Sequence, residues 1–440
     1  MSSQTDKWID GNKFNMIRDL QQLISFRSVE AAPEEGKPFG KTVYDCLNTA
    51  LAQAAALGLE GRSLDGYCGI IDVGDAFENL GILCHLDVVP EGDGWIYPPF
   101  VGELHNRRVY GRGAIDDKGP AIAALYALAA VKASGYGFRR KVRIILGCNE
   151  ETGMKCIEHF LQKENAPTMT FTPDGFFPLS NSEKSIMTVN YRKNYNSNIE
   201  MNVGEAHNIV PGKAKAVAFG TEYYCEGVQA HASTPEAGKN AIQMMFCKLA
   251  EYCSEEAREN AEKPISGEDA RVIKGLVKNF GMEYDGKSIG IDKQDASGRQ
   301  TLNFGMIRWN SKGFELTLDL RCPTSIAREF ILDKLDAAFA EIGAERTACS
   351  YSQGYSLDDN CELVSKLMEV YRNRTGDVDA QPKKMGGGTY ARHLPNAVSF
   401  GPEGWLCESD CHVANEFISI EQLLFNAKII ADAIIALACD

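Results

Sequence analysis

The chain has 440 residues, 44% of them hydrophobic and 24% charged, with a formal net charge of -14. That length exceeds one ordinary core and predicts two domains, and the acidity argues against nucleic acid or an anionic membrane surface as a partner. No stretch approaches the roughly eighteen apolar residues of a membrane span, and MSSQTDKWIDGNKF lacks the basic-then-apolar pattern of a signal peptide.

The predicted elements begin with Phe14, Ile17, Leu20, Leu23 and Ile24 at helical spacing in 13–26, followed by an alanine-rich helix over 42–57. Strand-like runs follow at 68–73, 80–89, 142–148 and 168–172. Between them lies the helical stretch 119–135, with Pro120 suited to a first turn and Gly135 to a C-terminal stop. This alternation predicts an α/β fold with a largely parallel sheet and helices on both faces. After about residue 184 the texture becomes α+β. Charged runs such as EEARENAEK sit among β-like segments at 302–308 and 314–320, with helices expected at 239–253 and 325–341. From about 383 a glycine-rich turn, the strand AVSF and an apolar helix at 420–438 return to the first style. The expected organisation is a discontinuous domain, 1–184 with 383–440, interrupted by an insert over 185–382.

The 14 cysteines are scattered through apolar runs (Cys84, Cys148, Cys247) with no C-x-x-C pair. They read as reduced, hydrophobe-like thiols of a cytoplasmic protein.

Polar residues cluster where the β-runs stop. The strand LGILC runs into His85-Leu86-Asp87; GRGAIDDKG puts Asp116 and Asp117 before a helix; GCNEETG puts Glu150 and Glu151 after a buried strand; MTFTPDG ends at Asp174; ESDCHVANE offers His412. The crevice beyond the carboxyl ends of strands is where open α/β sheets bind ligands. A set of His, Asp and Glu with no thiolate suits zinc, manganese or cobalt, and a cation lets crowded carboxylates stay ionised. Taken singly, each strand-end Asp is a helix cap or turn former, and a lone His beside apolar residues is a hydrogen-bonded core residue. The constellation is specific although no member is.

Together HLDVV, GRGAIDDKG, NEETG, TPDG, HASTPEAGKNA and CHVANE resemble metallopeptidase family M20, across nearly the whole chain and in the family's order. MGGGTYAR and the long insert are similar to its PepV-type bacterial dipeptidases. Pro98 departs from relatives that carry an acidic residue there. The resemblance implies a zinc-peptidase-like catalytic domain under an α+β lid, with two divalent ions, zinc first and manganese or cobalt as alternatives. His85 and Asp174 would bind one ion, Glu151 and His412 the other, and Asp116 both, with a cis peptide between Asp116 and Asp117. Asp87 would orient the His85 imidazole through a hydrogen bond, and Glu150 would be the general base aimed at the metal-bridging water. His231, from the insert, would help stabilise the developing oxyanion. Arg321 would meet the substrate's C-terminal carboxylate, Asn208 would support the carbonyl or that carboxylate, and Gly386, Gly387 and Gly388 would let backbone amides approach. Set against these, His231 reads as a loop residue capping a helix, Arg321 as the partner of a carboxylate in its own domain, and the glycines as a flexible turn.

The resulting expectation is a cytoplasmic, monomeric dipeptidase acting on short peptides with a free N-terminus. A deacylase or carboxypeptidase acting on N-acyl amino acids keeps the same metal chemistry. A binding protein that has lost catalysis would show gaps in the constellation, and none is present.

Overall fold

The computed structural model describes residues 3–253, 265 and 267–440; the charged run EEARENAEK lies outside them. The chain forms two compact units. The first comprises residues up to Asn181, Leu357–Lys383 and Thr389–Asp440; the second comprises Ser182–Ser356 and Lys384–Gly388. Residues 357–382, which the sequence reading assigns to the insert, therefore belong to the first unit, and 384–388, which it assigns to the first domain, to the second. The reason is the helix Glu362–Thr375, which buries Leu363, Leu367 and Met368 and packs against the C-terminal helix Ile420–Ala438. Arg140 holds its first residue, Glu362, at 2.7 Å.

In the first unit the strand Asn79–His85 lies between Lys141–Gly147 and Met169–Thr172 and runs parallel to both. Ala397–Ser399 continues the parallel set beside Met169–Thr172. The expected parallel core is thus present, but the sheet is mixed. Cys68–Val73 pairs antiparallel with Lys141–Gly147, and Gly61–Leu64 antiparallel with Cys68–Val73. Every residue of Asn79–His85 is buried, as parallel strands covered on both faces require. Full burial of Leu80, Ile82 and Leu83 contributes about 1.5–3 kcal/mol for each side chain.

The helix Lys118–Ala133 is apolar on nearly all sides because it packs against the helices Gln4–Gly11, Lys13–Ile24 and Ile420–Ala438. Pro120 sits in its first turn, and Gly135 just beyond its end adopts φ 78°, the left-handed conformation glycine takes without strain.

The second unit is α+β, as its texture predicts. Its antiparallel sheet runs in the order Thr221–Glu226, Lys213–Ala218, Ile199–Val203, Thr301–Asn310, Gly313–Cys322, Ser185–Asn194, Glu345–Ser352. Residues of Ser185–Asn194 alternate between buried and more exposed. The inward set packs with Met245 and Phe246 of Ala241–Glu251, Ile273 and Phe280 of Gly267–Phe280, and Leu335 and Phe339 of Arg328–Glu341. Tyr191 stacks on Phe339 with ring centroids 3.8 Å apart. Among the described residues no helix is long and apolar enough to cross a membrane.

Candidate active site

Three adjacent parallel strands end at one edge of the first unit's sheet, and each delivers candidate residues there. His85 is the last residue of Asn79–His85, Glu150 and Glu151 form the turn after Lys141–Gly147, and Asp174 follows Met169–Thr172. Asp116 arrives from the loop before Lys118–Ala133, and His412 from the loop before Phe417–Ser419.

These side chains converge in two groups that share Asp116, one of His85, Asp116 and Asp174, the other of Asp116, Glu151 and His412. Asp116 Oδ1 lies 2.9 Å from His85 Nε2, and Asp116 Oδ2 lies 3.0 Å from His412 Nε2. Asp174 Oδ2 is 3.9 Å from His85 Nε2, and Glu151 Oε2 is 3.1 Å from His412 Nε2. Donors bound about 2.0–2.2 Å from a tetrahedral ion lie roughly 3.3–3.6 Å from one another; the spacings here fall on both sides of that range, so each group could close on a cation with shifts of a few tenths of an ångström. A second observation agrees: Glu151 Oε1 is buried without any hydrogen-bond partner, which is costly unless something cationic faces it. Neither group contains a cysteine, so the donor set is nitrogen and oxygen.

The electrostatics are those of a site built for positive charge. Burial, followed by the charge of Asp116, raises Asp174 to about 7. Burial, followed by Asp174, raises Glu150 well above the usual carboxylate range. His412 is pushed up to about 10 by its hydrogen bonds to Asp116 and Glu151. Burial opposes a charge on His85, yet Asp116 and Asp87 outweigh it and raise its pKa well above the ordinary value.

The helix-cap reading of the paired aspartates fails. Asp117 precedes Lys118–Ala133 but makes no side-chain cap bond; its Oδ2 instead accepts from the His85 backbone N–H at 3.0 Å. The Asp116–Asp117 peptide is cis, as the resemblance implies.

Asp87 acts differently from its expected role. His85 Nδ1 is 2.9 Å from the Asp87 backbone carbonyl, while the Asp87 carboxylate lies 3.6 Å from Nδ1, beyond a hydrogen bond. Its two oxygens accept from the N–H groups of Glu150 and Glu151, each at 3.0 Å. Asp87 therefore shapes the Glu150–Glu151 turn, hydrogen-bonds the imidazole through its backbone, and acts on it through the nearby carboxylate charge.

The remaining candidates lie in the second unit. His231 pairs with Ile209 in a two-residue ladder, and the Asn208 carbonyl accepts from Ala232 N–H at 2.8 Å. His231 Nδ1 lies 2.7 Å from Ser233 Oγ and accepts from Ser233 N–H at 3.2 Å, so the ring proton of the neutral form sits on Nε2. Burial and then Arg321 lower its pKa. Arg321 is buried, with Nε and Nη2 on Asp319 at 2.8 and 3.2 Å and Nη1 donating to the Gly386 carbonyl at 3.0 Å. The carboxylate partner within its own unit is thus real, and it leaves two of the five guanidinium N–H donors for other use. A Cβ on Gly386 would stand 2.6 Å from Ser233 Cβ, so this position requires glycine. Gly387 and Gly388 belong to the same turn.

Several participants escape the sequence reading. Arg112 and Glu416 form a fully buried ion pair at 2.7 Å beside Asp116. Glu403, bound through its backbone to Gly175 and Phe177, rises to about 7 through burial and then Asp116. His207, assigned no role from sequence, lies 2.9 Å from Asp319 Oδ2 through Nδ1. Their one signal is a charged residue inside an apolar stretch, as in VYGRGAI.

Residues 81–436 match the sequence profile of "Peptidase family M20/M25/M40". The chain is 33% identical to "Putative dipeptidase YtjP" of Bacillus subtilis (strain 168), covering 97% of this chain and 98% of that protein. Among solved structures it is similar to the di-peptidase Dug1p from Saccharomyces cerevisiae, with a TM-score of 0.62 and 13% identity over 99% of both chains. It is also similar to the YXEP protein of Bacillus subtilis, described as a dinuclear metal binding peptidase from the M20 family, with a TM-score of 0.55 and 12% identity over 98% of this chain and 99% of that one.

Proposed function

Because the chain belongs to peptidase family M20/M25/M40, we propose that it is a dipeptidase of the PepV type, hydrolysing the amide bond of short peptides with a free N-terminus. The observation that carries this reading is Asp116, whose two carboxylate oxygens each face a different histidine in a different ligand group. His85, Asp116 and Asp174 would hold one divalent ion, and Asp116, Glu151 and His412 the second; zinc, manganese and cobalt all suit these donors. When bound, the two ions would lower the pKa of the attacking water, polarise the scissile carbonyl and neutralise the crowded carboxylates.

The chain's own residues do the rest. Glu150 takes the water proton and returns it to the leaving amine; its turn is fixed by Asp87, and its buried setting raises its proton affinity. Glu151 acts as a ligand, so the adjacent carboxylates have separate tasks. In the second unit, neutral His231 offers Nε2–H to a developing oxyanion. Arg321, Asn208 and the Gly386–Gly388 turn are assigned to the substrate's C-terminal end.

We read the first unit as the catalytic domain and the second as a lid, large enough for the enzyme to work as a monomer. Among the described residues no cysteine forms a disulfide, and a reducing, cytoplasmic setting is part of this reading.

The test is hydrolysis of free dipeptides, their N-acetylated forms and tripeptides by protein stripped of metal and reloaded with Zn²⁺ or Mn²⁺. The expected result is metal-dependent cleavage of free dipeptides that Glu150→Ala abolishes. Cleavage of the acetylated compounds alone would replace this reading with a deacylase, and an active Glu150→Ala variant would remove Glu150 as the base.

A further inference from the structure

The two ligand groups differ in how they are built. The first rests on the sheet. His85 ends a fully buried strand, and its side chain is completely inaccessible. Its backbone N–H is held by Asp117 and its Nδ1 by the Asp87 carbonyl. In the second group, His412 projects from a loop with its side chain 52% exposed. Its backbone and that of Asn415 adopt φ of 62° and 63°, conformations that non-glycine residues hold only when their surroundings enforce them.

What enforces this loop is visible at its far end. Glu416 Oε1 accepts from the N–H groups of Ile115 and Asp116 at 3.0 and 3.3 Å, and Glu416 Oε2 accepts from Arg112 Nη1 at 2.7 Å. Its carbonyl accepts from Gly111 N–H at 2.9 Å. Arg112 also reaches the Val413 carbonyl, one residue from His412, at 3.3 Å. Through Nη2 it donates to the carbonyls of Pro90 and Glu91 at 3.4 and 3.2 Å, and it lies over the Trp95 ring at 5.4 Å. One ion pair thus grips the residue next to His412 and the backbone of Asp116 together.

A buried ion pair is a weak source of stability, since apolar residues of similar volume often serve as well. What apolar residues could not supply here is an acceptor for the Asp116 N–H and a donor for the Val413 carbonyl.

We propose that Arg112 and Glu416 are positioning residues for the second ion, fixing His412 against Asp116, while the His85 position, which shares Asp116 but is also held by Asp117 and the Asp87 carbonyl, depends on them less. The inference rests on the two-ion reading given above. Outer partners of metal ligands typically control affinity by about 10–100-fold, and here that control falls on one of two positions.

The test uses the full chain stripped of metal and titrated with Co²⁺, following d–d absorption in competition with a chelator, with ions per chain counted after desalting. The variant Arg112→Gln/Glu416→Gln replaces the ion pair by a neutral amide pair; Glu416→Asp keeps the charge but withdraws it by a methylene. Should the double variant lose its thermal transition, Glu416→Asp is read in its place. The expected result is two ions on the wild type and one tightly held ion on the variants, the second weakened about 10–100-fold with its own absorption band lost. Two ions bound by the variants as tightly as by the wild type would overturn the proposal. So would parallel loss of both, which is what a general folding defect produces. A wild type that holds fewer than two ions would instead overturn the two-ion reading itself.

Discussion

Replacing Asp87 by Asn separates two accounts of this residue. If its carboxylate orients the His85 imidazole, Asp87→Asn should damage the metal position on that side. The structure places the imidazole on the Asp87 backbone carbonyl instead, which the substitution leaves intact. What is lost is a fully buried carboxylate that accepts from two adjacent N–H groups, each at 3.0 Å. The Asn side chain can accept from one; its amide N–H₂ then faces the other, a donor against a donor. The charged acceptor's advantage and one unsatisfied buried N–H together cost about 2–4 kcal/mol of stability. The same conflict pushes the Glu150 turn out of place, and misplacing a catalytic group by about 1 Å lowers rate by roughly 10²-fold. The assay is urea unfolding beside kcat and KM on a free dipeptide, at saturating metal. The expected outcome is a kcat deficit that extra metal does not restore, with ion content unchanged. Full recovery of kcat at high metal would refute the reasoning and return Asp87 to the imidazole.

Three further outcomes are expected. With His412 at about 10, its imidazole carries a proton in the metal-free protein at pH 8 and must lose it to become a ligand; His85 is raised above its ordinary value in the same direction. Filling both positions should release protons, and apparent affinity should weaken as pH falls; calorimetry in buffers of different ionisation enthalpy reads this, and buffer-independent heats would contradict it. A Cβ on Gly147 would overlap the Tyr390 hydroxyl, so Gly147→Ala should destabilise by about 1–3 kcal/mol. Tyr390→Phe should recover part of that loss, and strictly additive denaturation energies would count against the clash. Burial would raise Asp295, but hydrogen bonds from Ser297 and Ser325 outweigh it and hold its pKa at about 2. A depressed carboxyl stabilises above its unfolded pKa of about 3.9 and loses that contribution as pH falls toward about 2; Asp295→Asn should flatten the stability profile in that window, and an unchanged slope would argue against the hydrogen bonds.

The candidate ligand constellation was legible in the sequence because parallel strands run as short apolar blocks, and polar residues just past such a block stand at the sheet edge. His85, Glu151 and Asp174 follow from that rule alone. Asp87 shows its limit: a letter two positions beyond His85 does not say whether its carboxylate or its carbonyl meets the ring. Arg112 and Glu416 were quoted within their motifs yet not linked, since nothing local connects residues 304 apart in the chain. The far boundary of the insert was misplaced because Glu362–Thr375 reads as an ordinary amphipathic helix, and the surface it covers is contributed by Ile420–Ala438, not by its sequence neighbours.

The first unit takes strands and helices from both ends of the chain, and this orders its biosynthesis. On a ribosome, His85, Asp116 and Asp174 emerge early, whereas His412 and the helix that covers Lys118–Ala133 come only after the second unit has been made. A nascent or prematurely ended chain holds one ligand group without the other. On the two-ion reading, hydrolytic competence therefore waits on His412, and a chain ended before it should be inert.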